Sequence, residues 1–388
     1  MKVVFNKARG MLMVVSEITK SQNKATGNGT RQKRASNRHS RNFPSYKKLI
    51  MAMICAQSLI YQQLAWAANT QIKNKASNIP SSQRAALLKA RNGTPIINIR
   101  TPNRKGLSHN TYSKFNIGNN NVILNNSVGG AKTRLAGTIN GNQYLAKGSA
   151  STILNEVRST APSYLKGNIE IAGQKADVIV ANPSGLVVNG AGFINANRAT
   201  LTTGNPRIVS GALDSFDVSK GKVNFIKDKT SYALGGGRNT KKAKAENRAN
   251  YVDVIARGIE VNGRIASLKS TNLVTGSHRI DYDTLSAKKK LKAKSTRPSV
   301  AIDVKDLGGI YAKSIALIGN ENGLGVRNAG TLSASSYVVL DSAGKISNSG
   351  KIKTTSKSPS NIILTSKGKT NLINSDINST GNIHINSG

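Results

Sequence analysis

A chain of 388 residues with 57 Lys and Arg against 17 Asp and Glu, a formal charge of +40, has room for a large core or for one extended repeat domain. Aromatic residues make up only 4% of it, which argues against a wide core built on rings and for a narrow one lined by Val, Ile and Leu. The single cysteine, Cys55, lies in an apolar segment expected to be removed, so the mature chain is expected to hold no disulfide.

In chain order, the first stretch is FNKARGMLMVVSEITKS, Phe5 to Ser21, followed by a basic Ser/Asn-rich spacer to Ser45. Composition alone makes it a basic amphipathic segment. Lys47-Lys48 then precedes an apolar run from Leu49 to Ile60, and Ala65-Trp66-Ala67 comes after it. Positive charge, a short apolar core and an A-x-A end define a secretory signal peptide, with cleavage expected between Ala67 and Ala68. The run is well short of the ~20 residues that span a bilayer. Met53-Ile54 ahead of Cys55 speaks against a lipoprotein signal, which needs a small residue there.

Residues 1–67 carry +11 of the charge, which leaves +29 for residues 68–388. Part of this sits in two runs, Arg238 to Arg248 and Lys288 to Arg297. Such a balance points to nucleic acid or to an acidic surface. Neither run is interleaved with aromatics as a base-stacking surface would be, so no specific nucleic-acid partner is expected. Solvated loops are the plainer reading, with a polyanion site as the alternative.

From residue 68 to 92 the chain is polar, and Ser81 to Leu88 is expected to form one short helical turn with an N-capping Ser, capping the strands C-terminal to it. Short β-branched runs come next: Ile96–Ile99, Val122–Leu124, Thr152–Leu154, Asn168–Ile171, Val178–Val180 and Leu186–Val188. Gly, Asn and Ser clusters bound them, so they read as strands, and no sustained 3.6-residue periodicity occurs from 93 to 388. The fold class is all-β.

The C-terminal part repeats. Val326–Leu332 recurs as Ile346–Ile352, twenty residues later. Tyr337–Leu340 recurs as Asn361–Leu364 and Asn382–Ile385, at steps of 24 and 21 residues. A loose period near twenty with Asn/Gly corners predicts a parallel β-helix, one coil per repeat. The Leu spacing does not suit a leucine-rich repeat. Two polar insertions, Gly235 to Asn250 and Asp281 to Pro298, are expected outside the helix.

Ala176 to Gly190 organises the centre of the chain. Strand Val178–Val180 turns through Asn182-Pro183-Ser184-Gly185 and continues as Leu186–Val188. Pro183 fixes φ and Gly185 permits φ above zero, as a tight turn needs. Alone the stretch looks like a hairpin; with its neighbours it reads as a coil corner. Asn125 and Asn126 read as ladder asparagines at another corner, with recognition as the second reading.

Several long motifs resemble one family in order. They are GLSHNTYSKFNI from Gly106 with VILNNS from Val122, ILNEV from Ile153, and the stretch from Ser163 to Asn195. LTTGNP from Leu201, RGIEVNGRIAS from Arg257 and NLVTG from Asn272 complete the set. The chain is identified as similar to the N-terminal secretion and haemagglutination-activity domain of two-partner secretion exoproteins, with the first stretch resembling their extended signal peptide. The resemblance implies export by the general secretory translocon, then recognition and passage through a dedicated outer-membrane β-barrel transporter. It implies folding outside into a right-handed parallel β-helix with extra-helical hairpins and an N-terminal cap. The family's Asn-Pro-Asn-Gly turn falls on Asn182, Pro183, Ser184 and Gly185, and Ser184 departs from it; the turn reads either as one that only shapes the domain or as one the transporter recognises, directly or through shape. The domain reading is signal peptide 1–67, secretion domain 68–280, basic loop 281–299 and further coils 300–388. The ending Asn386-Ser387-Gly388 lies inside the repeat pattern and reads as a longer protein cut short.

A haemagglutinin-like adhesin, secreted or at the cell surface of a Gram-negative bacterium, is the leading functional expectation. The alternatives are the N-terminal part of a contact-dependent growth-inhibition toxin, a haemolysin, or a protein that uses its charge to hold host or neighbouring cell-surface glycans. No enzyme is expected. His109, His278 and His384 are isolated, without metal-ligand spacing. No G-x-S-x-G occurs, and no G-K-[ST] comes after Gly235–Gly237. Glu156, Glu170, Asp177 and Asp253 are scattered; a Glu170–Asp177 pair of the polysaccharide-lyase kind is disfavoured, because both lie at secretion-domain positions. No catalytic residue, cofactor or metal is expected.

Overall fold

A computed structural model describes residues 2–6, 11–15, 69–227, 231–237, 241–356, 358 and 360–388. Two units divide the chain, residues 1–56 and 57–388. In the first, Lys2–Asn6 and Met11–Val15 form a two-stranded antiparallel pair. The expected signal core and the Ala67–Ala68 cleavage site lie outside the described residues.

The second unit is a right-handed parallel β-helix whose coils visit three faces in a fixed order. One coil runs from Thr152–Val157 on the first face to Ser163–Leu165 on the second and Asn168–Gly173 on the third. The next repeats it with Ala176–Ala181, Leu186–Val188 and Gly192–Ile194. Equivalent strands pair in parallel, so equivalent side chains stack along the axis. On the first face Ile153, Val178, Ala199 and Val252 stand in register and are buried. Val223, Ile259, Ile302, Val326 and Ile346 do the same on the second. Each such aliphatic contributes about 1.5–3 kcal/mol on full burial before ordering costs are subtracted. A lone coil cannot cover its own faces, so stability accrues by stacking.

The repeat steps read from the sequence are the pairing register. Val338 stands opposite Ile362, and Ile362 opposite Ile383. The Asn-x-Gly corners have a double cause. Asn328 Nδ2 donates to Asn348 Oδ1 at 2.7 Å, one coil to the next. The glycines let backbone stack on backbone: a Cβ on Gly330 would lie 2.2 Å from Gly308 O, and one on Gly350 2.1 Å from Gly330 O.

The N-terminal end is capped, but not by the expected helical turn. Only Ser81–Gln83 is helical, a 3-10 turn whose N-cap is Pro80 with no side-chain bond. Ala86–Lys89 is instead a strand, antiparallel to Pro95–Asn98, with Leu87 opposite Ile97 and Leu88 opposite Ile96. An open edge of the third face offers these residues a full backbone ladder, which outweighs the helix propensity of Ala and Leu. Gln71–Lys73 pairs antiparallel with Lys114–Asn116 at the same end.

The insertion from Asp281 lies outside the coils, as expected, whereas the one before Asn250 returns into them, Ala249 joining the main core and Asn250 O accepting from Lys269 N and Ser270 N; neither is merely a solvated loop. Ala287–Lys290, within the basic run, is the edge strand of a four-stranded antiparallel sheet. The other strands are Asn205–Val209, Ala212–Asp217 and His278–Asp281. This sheet covers the outer side of the first face through a second hydrophobic cluster. Leu154, Ile179, Ala181, Ile255 and Val274 meet Leu213, Phe216, Ile280 and Tyr282 there. The Phe216 and Tyr282 rings stand edge to face, 5.9 Å apart. In the other insertion Ala245–Asn247 forms a 3-10 turn and Asn247 and Ala249 are buried.

Candidate functional site

Asn182–Gly185 is a corner between faces. The strand before it, Ala176–Ala181, belongs to the first face, and Leu186–Val188 belongs to the second. Asn182 is fully buried. Its backbone N–H donates to Thr202 O at 2.9 Å, and its carbonyl accepts from Gly185 N at 2.9 Å. Nδ2 donates to Ala161 O at 3.1 Å and to Ser163 Oγ at 3.0 Å, while Oδ1 accepts from Ser184 N at 2.9 Å. One asparagine therefore ties three segments together. Gly185 has φ +111°, and a Cβ there would meet Lys222 O at 3.1 Å. Ser184 has its own use: Oγ donates to Ser159 O at 2.6 Å, holding the corner to the segment before the second-face strand Ser163–Leu165.

Asn125 and Asn126 end the third-face strand Val122–Asn126 and are buried. Asn125 Nδ2 donates to Asn98 Oδ1 at 2.9 Å and to Asn140 O at 3.0 Å. Asn126 Nδ2 donates to Ala150 O and Gln174 O, both at 2.9 Å, and Oδ1 accepts from Ala150 N at 2.7 Å. In the folded state the side chains of Asn125, Asn126 and Asn182 are committed to internal bonds.

The fold gathers charges that looked scattered. His109, read as isolated, lies 2.7 Å from Glu156 through Nε2, and Arg158 Nε donates to the same carboxylate at 2.9 Å. Leu154 stands opposite His109 and Glu156 opposite Thr111 in the parallel register, which places His109 and Glu156 on the same outward side of neighbouring strands. That register was the missing signal. Burial pushes the Glu156 carboxyl up, but the hydrogen bonds from His109 and Arg158 outweigh it and hold it below its ordinary value. Asp253 is fully buried beside Arg198, whose Nε is 3.3 Å away, and accepts from Asn272 Nδ2 at 2.7 Å. Its burial prevails over both partners and raises its pKa.

Glu170 and Asp177 are not brought together as a pair. Glu170 accepts from the backbone of Arg134 at 2.7 Å and Leu135 at 2.8 Å. Asp177 accepts from Asn197 at 2.8 Å and from the Tyr282 hydroxyl at 3.2 Å. Neither carboxylate is left for acid–base work on a bond between them. Among the described residues, no group of three or more His, Cys, Asp or Glu side chains is placed to hold a metal ion.

The basic segment after Lys290 is a strap tied back to the coils. Arg257, almost wholly buried, makes a two-pronged contact with Glu321 at 3.1 and 3.3 Å. Its NH1 also donates to Ser295 O, to Ser295 Oγ at 2.9 Å and to Thr296 O at 3.0 Å. Lys294 N donates to Ser219 O at 2.8 Å. Sequence reading could not see this, because Arg257 and Glu321 are 64 residues apart.

These corners and latches coincide with a known domain. A family model described as TPS secretion domain matches residues 71–354, and one described as Extended Signal Peptide of Type V secretion system matches residues 2–43. The chain is 39% identical over 382 residues to a Toxin CdiA of Yersinia pestis, covering 95% of this chain and 11% of that one. It is 32% identical over 357 residues to the Filamentous hemagglutinin of Bordetella pertussis, covering 89% and 9%. The crystal structure of a filamentous hemagglutinin secretion domain superposes with a TM-score of 0.67 at 30% identity, over 82% of this chain and 100% of that one. The chain thus spans about a tenth of the length of the two full-length relatives. The matched region of such proteins is a non-enzymatic secretion domain, and it implies an outer-membrane transporter as its partner. The chain belongs to the two-partner secretion exoproteins: it carries their secretion domain behind an extended signal peptide and is secreted or placed at the cell surface of a Gram-negative bacterium.

Proposed function

We propose that the Asn-rich corners serve twice, first as marks that the transporter reads on the unfolded chain and then as the posts on which the β-helix closes outside the cell. The observation that carries this is the burial of Asn126 and Asn182 with every side-chain donor engaged internally. A receptor that contacts these side chains must do so before the coils form. Folding on the far side then hides them, which opposes return through the pore and gives export a direction. Passage of the inner membrane by the general secretory translocon, with cleavage between Ala67 and Ala68, belongs to the same proposal.

The test separates export from folding. Asn182→Ala with Pro183→Ala is co-expressed with the cognate transporter, and the same variant is refolded in isolation. Loss of secretion together with a refolded domain supports the recognition reading. Normal secretion and normal refolding would remove both roles.

The protein served by this module is proposed to be a haemagglutinin-like adhesin that holds host or neighbouring cell-surface glycans. A second reading, the delivery end of a contact-dependent growth-inhibition toxin, is favoured by the 39% identity to the toxin against 32% to the haemagglutinin. Co-culture with a susceptible competitor distinguishes them: growth arrest of the competitor supports the toxin, and adherence without arrest the adhesin.

A further inference from the structure

An open groove of about 360 Å³ lies where the hairpin 131–139, the turn after Gly173 and the turn at 245–248 meet. Four cations line it: Lys132 and Arg134 from the hairpin, Lys175 from the first turn and Arg248 from the second. None of them lies within ion-pair distance of a carboxylate among the described residues.

Two carboxylates also line the groove, so four cations against two carboxylates leave its lining positive. Glu170 is consumed by the backbone N–H groups of Arg134 and Leu135, an anchoring that fixes the hairpin tip and leaves the Arg134 guanidinium unengaged by it. Glu246 is exposed on the adjoining turn. Arg248, half-buried, donates through NH2 to Ala243 O at 2.7 Å, which ties its guanidinium to the turn at the groove wall.

We propose that this groove is a binding site for a phosphate- or sulfate-type ester oxyanion, held by the guanidinium groups of Arg134 and Arg248 and the ammonium groups of Lys132 and Lys175. A tetrahedral oxyanion offers acceptors in several directions at once, which suits donors arriving from three separate segments. No aromatic ring lines the groove among the described residues, so a stacked base is not the fitting ligand. Glu246 disfavours a long polyanion running through and favours a terminal ester entering.

The site is tested with the purified folded chain in calorimetric titrations at physiological salt. The probes are inorganic phosphate, glucose 6-phosphate, and phosphatidylcholine vesicles with and without phosphatidic acid. Saturable binding is expected, weakened about tenfold or more by Arg248→Gln, as loss of a charge-assisted bond requires, and unchanged by Lys289→Gln in the other basic run. Binding of glucose 6-phosphate but not of the anionic vesicles upholds the site and assigns a soluble or sugar ester. The reverse upholds it and assigns a lipid headgroup. Should Arg248→Gln fail to fold, the exposed Lys175→Gln carries the same expectation. No saturable binding by any probe, or equal weakening by Lys289→Gln, or no weakening by either groove variant, overturns the proposal.

Discussion

Asn182→Ala is the most direct probe of the corner. The substitution removes the donors to Ala161 O and Ser163 Oγ and the acceptor for Ser184 N. Ser163 is buried and Ser184 partly so, leaving water little room to replace what is lost. A net loss near 1 kcal/mol per bond, with more where a buried partner is left unmet, gives a destabilisation of about 2–4 kcal/mol. Ser184→Ala forfeits only the bond to Ser159 O and is expected to cost about 1 kcal/mol or less. Asn182→Asp is expected to be worse than Asn182→Ala, because it turns a carboxylate toward the Ala161 carbonyl in a buried site. Urea unfolding followed by far-ultraviolet circular dichroism ranks the three variants. If Asn182→Ala unfolds within about 0.5 kcal/mol of the parent, the range of an ordinary surface change, the corner is not held by its asparagine and the reasoning fails.

Three further outcomes are expected from the same geometry. Gly350→Ala would set a methyl 2.1 Å from Gly330 O and is expected to cost several kcal/mol, about 3 or more, or to unstack the coils after it, read as a lost or split denaturation transition. Arg257→Ala leaves Glu321 without its partner and releases Ser295 and Thr296, so trypsin should cut after Lys292 or Lys294 much faster than in the parent, with about 3 kcal/mol of stability lost. An unchanged digestion pattern would mean that the strap is held elsewhere. Acid should weaken the fold. Burial pushes Asp281 up, but Lys288 and Thr284 together bring it down to about 2, and Glu156 is likewise lowered by His109 and Arg158. Both folded pKa values lie below their unfolded ones, so this stability is present above the unfolded carboxylate range. It drains as pH falls from about 4 toward about 2. Asp281→Asn should flatten the lower part of that decline in a pH-dependent melt; a profile identical to the parent would exclude its role.

The helical architecture was legible because each strand carries its own signal. Val178–Val180, Val122–Leu124 and Tyr337–Leu340 are bounded by Asn, Gly or Ser, and their spacing is the register itself. What stayed hidden was everything that depends on a second, distant segment. Leu87 and Leu88 look helical until Ile96 and Ile97 offer a ladder. His109 looks solitary until the parallel register brings Glu156 onto its side of the sheet. The strand Ala287–Lys290 is invisible in a run of lysines, because its partner strand, His278–Asp281, and not its composition, makes it a strand. The corner asparagines were found, but that their side chains turn inward is set only by the carbonyls stacked around them.

The sheet outside the coils changes how the molecule gains and loses structure. Arg279 and Asp217, joined across it at 2.7 Å, are 62 residues apart, and two intervening first-face strands must be threaded between them. Whichever part forms first, the cover over Phe216 is completed only when Ile280 and Tyr282 arrive, and the reverse. A stack of coils can add members singly, like a column of coins. The stretch from Leu107 to Lys290 cannot, because the loop it closes makes the energy of its early coils conditional on a late one. Residues 107–290 are thus expected to melt as one cooperative block, while the coils beyond the Arg257–Glu321 latch can separate singly.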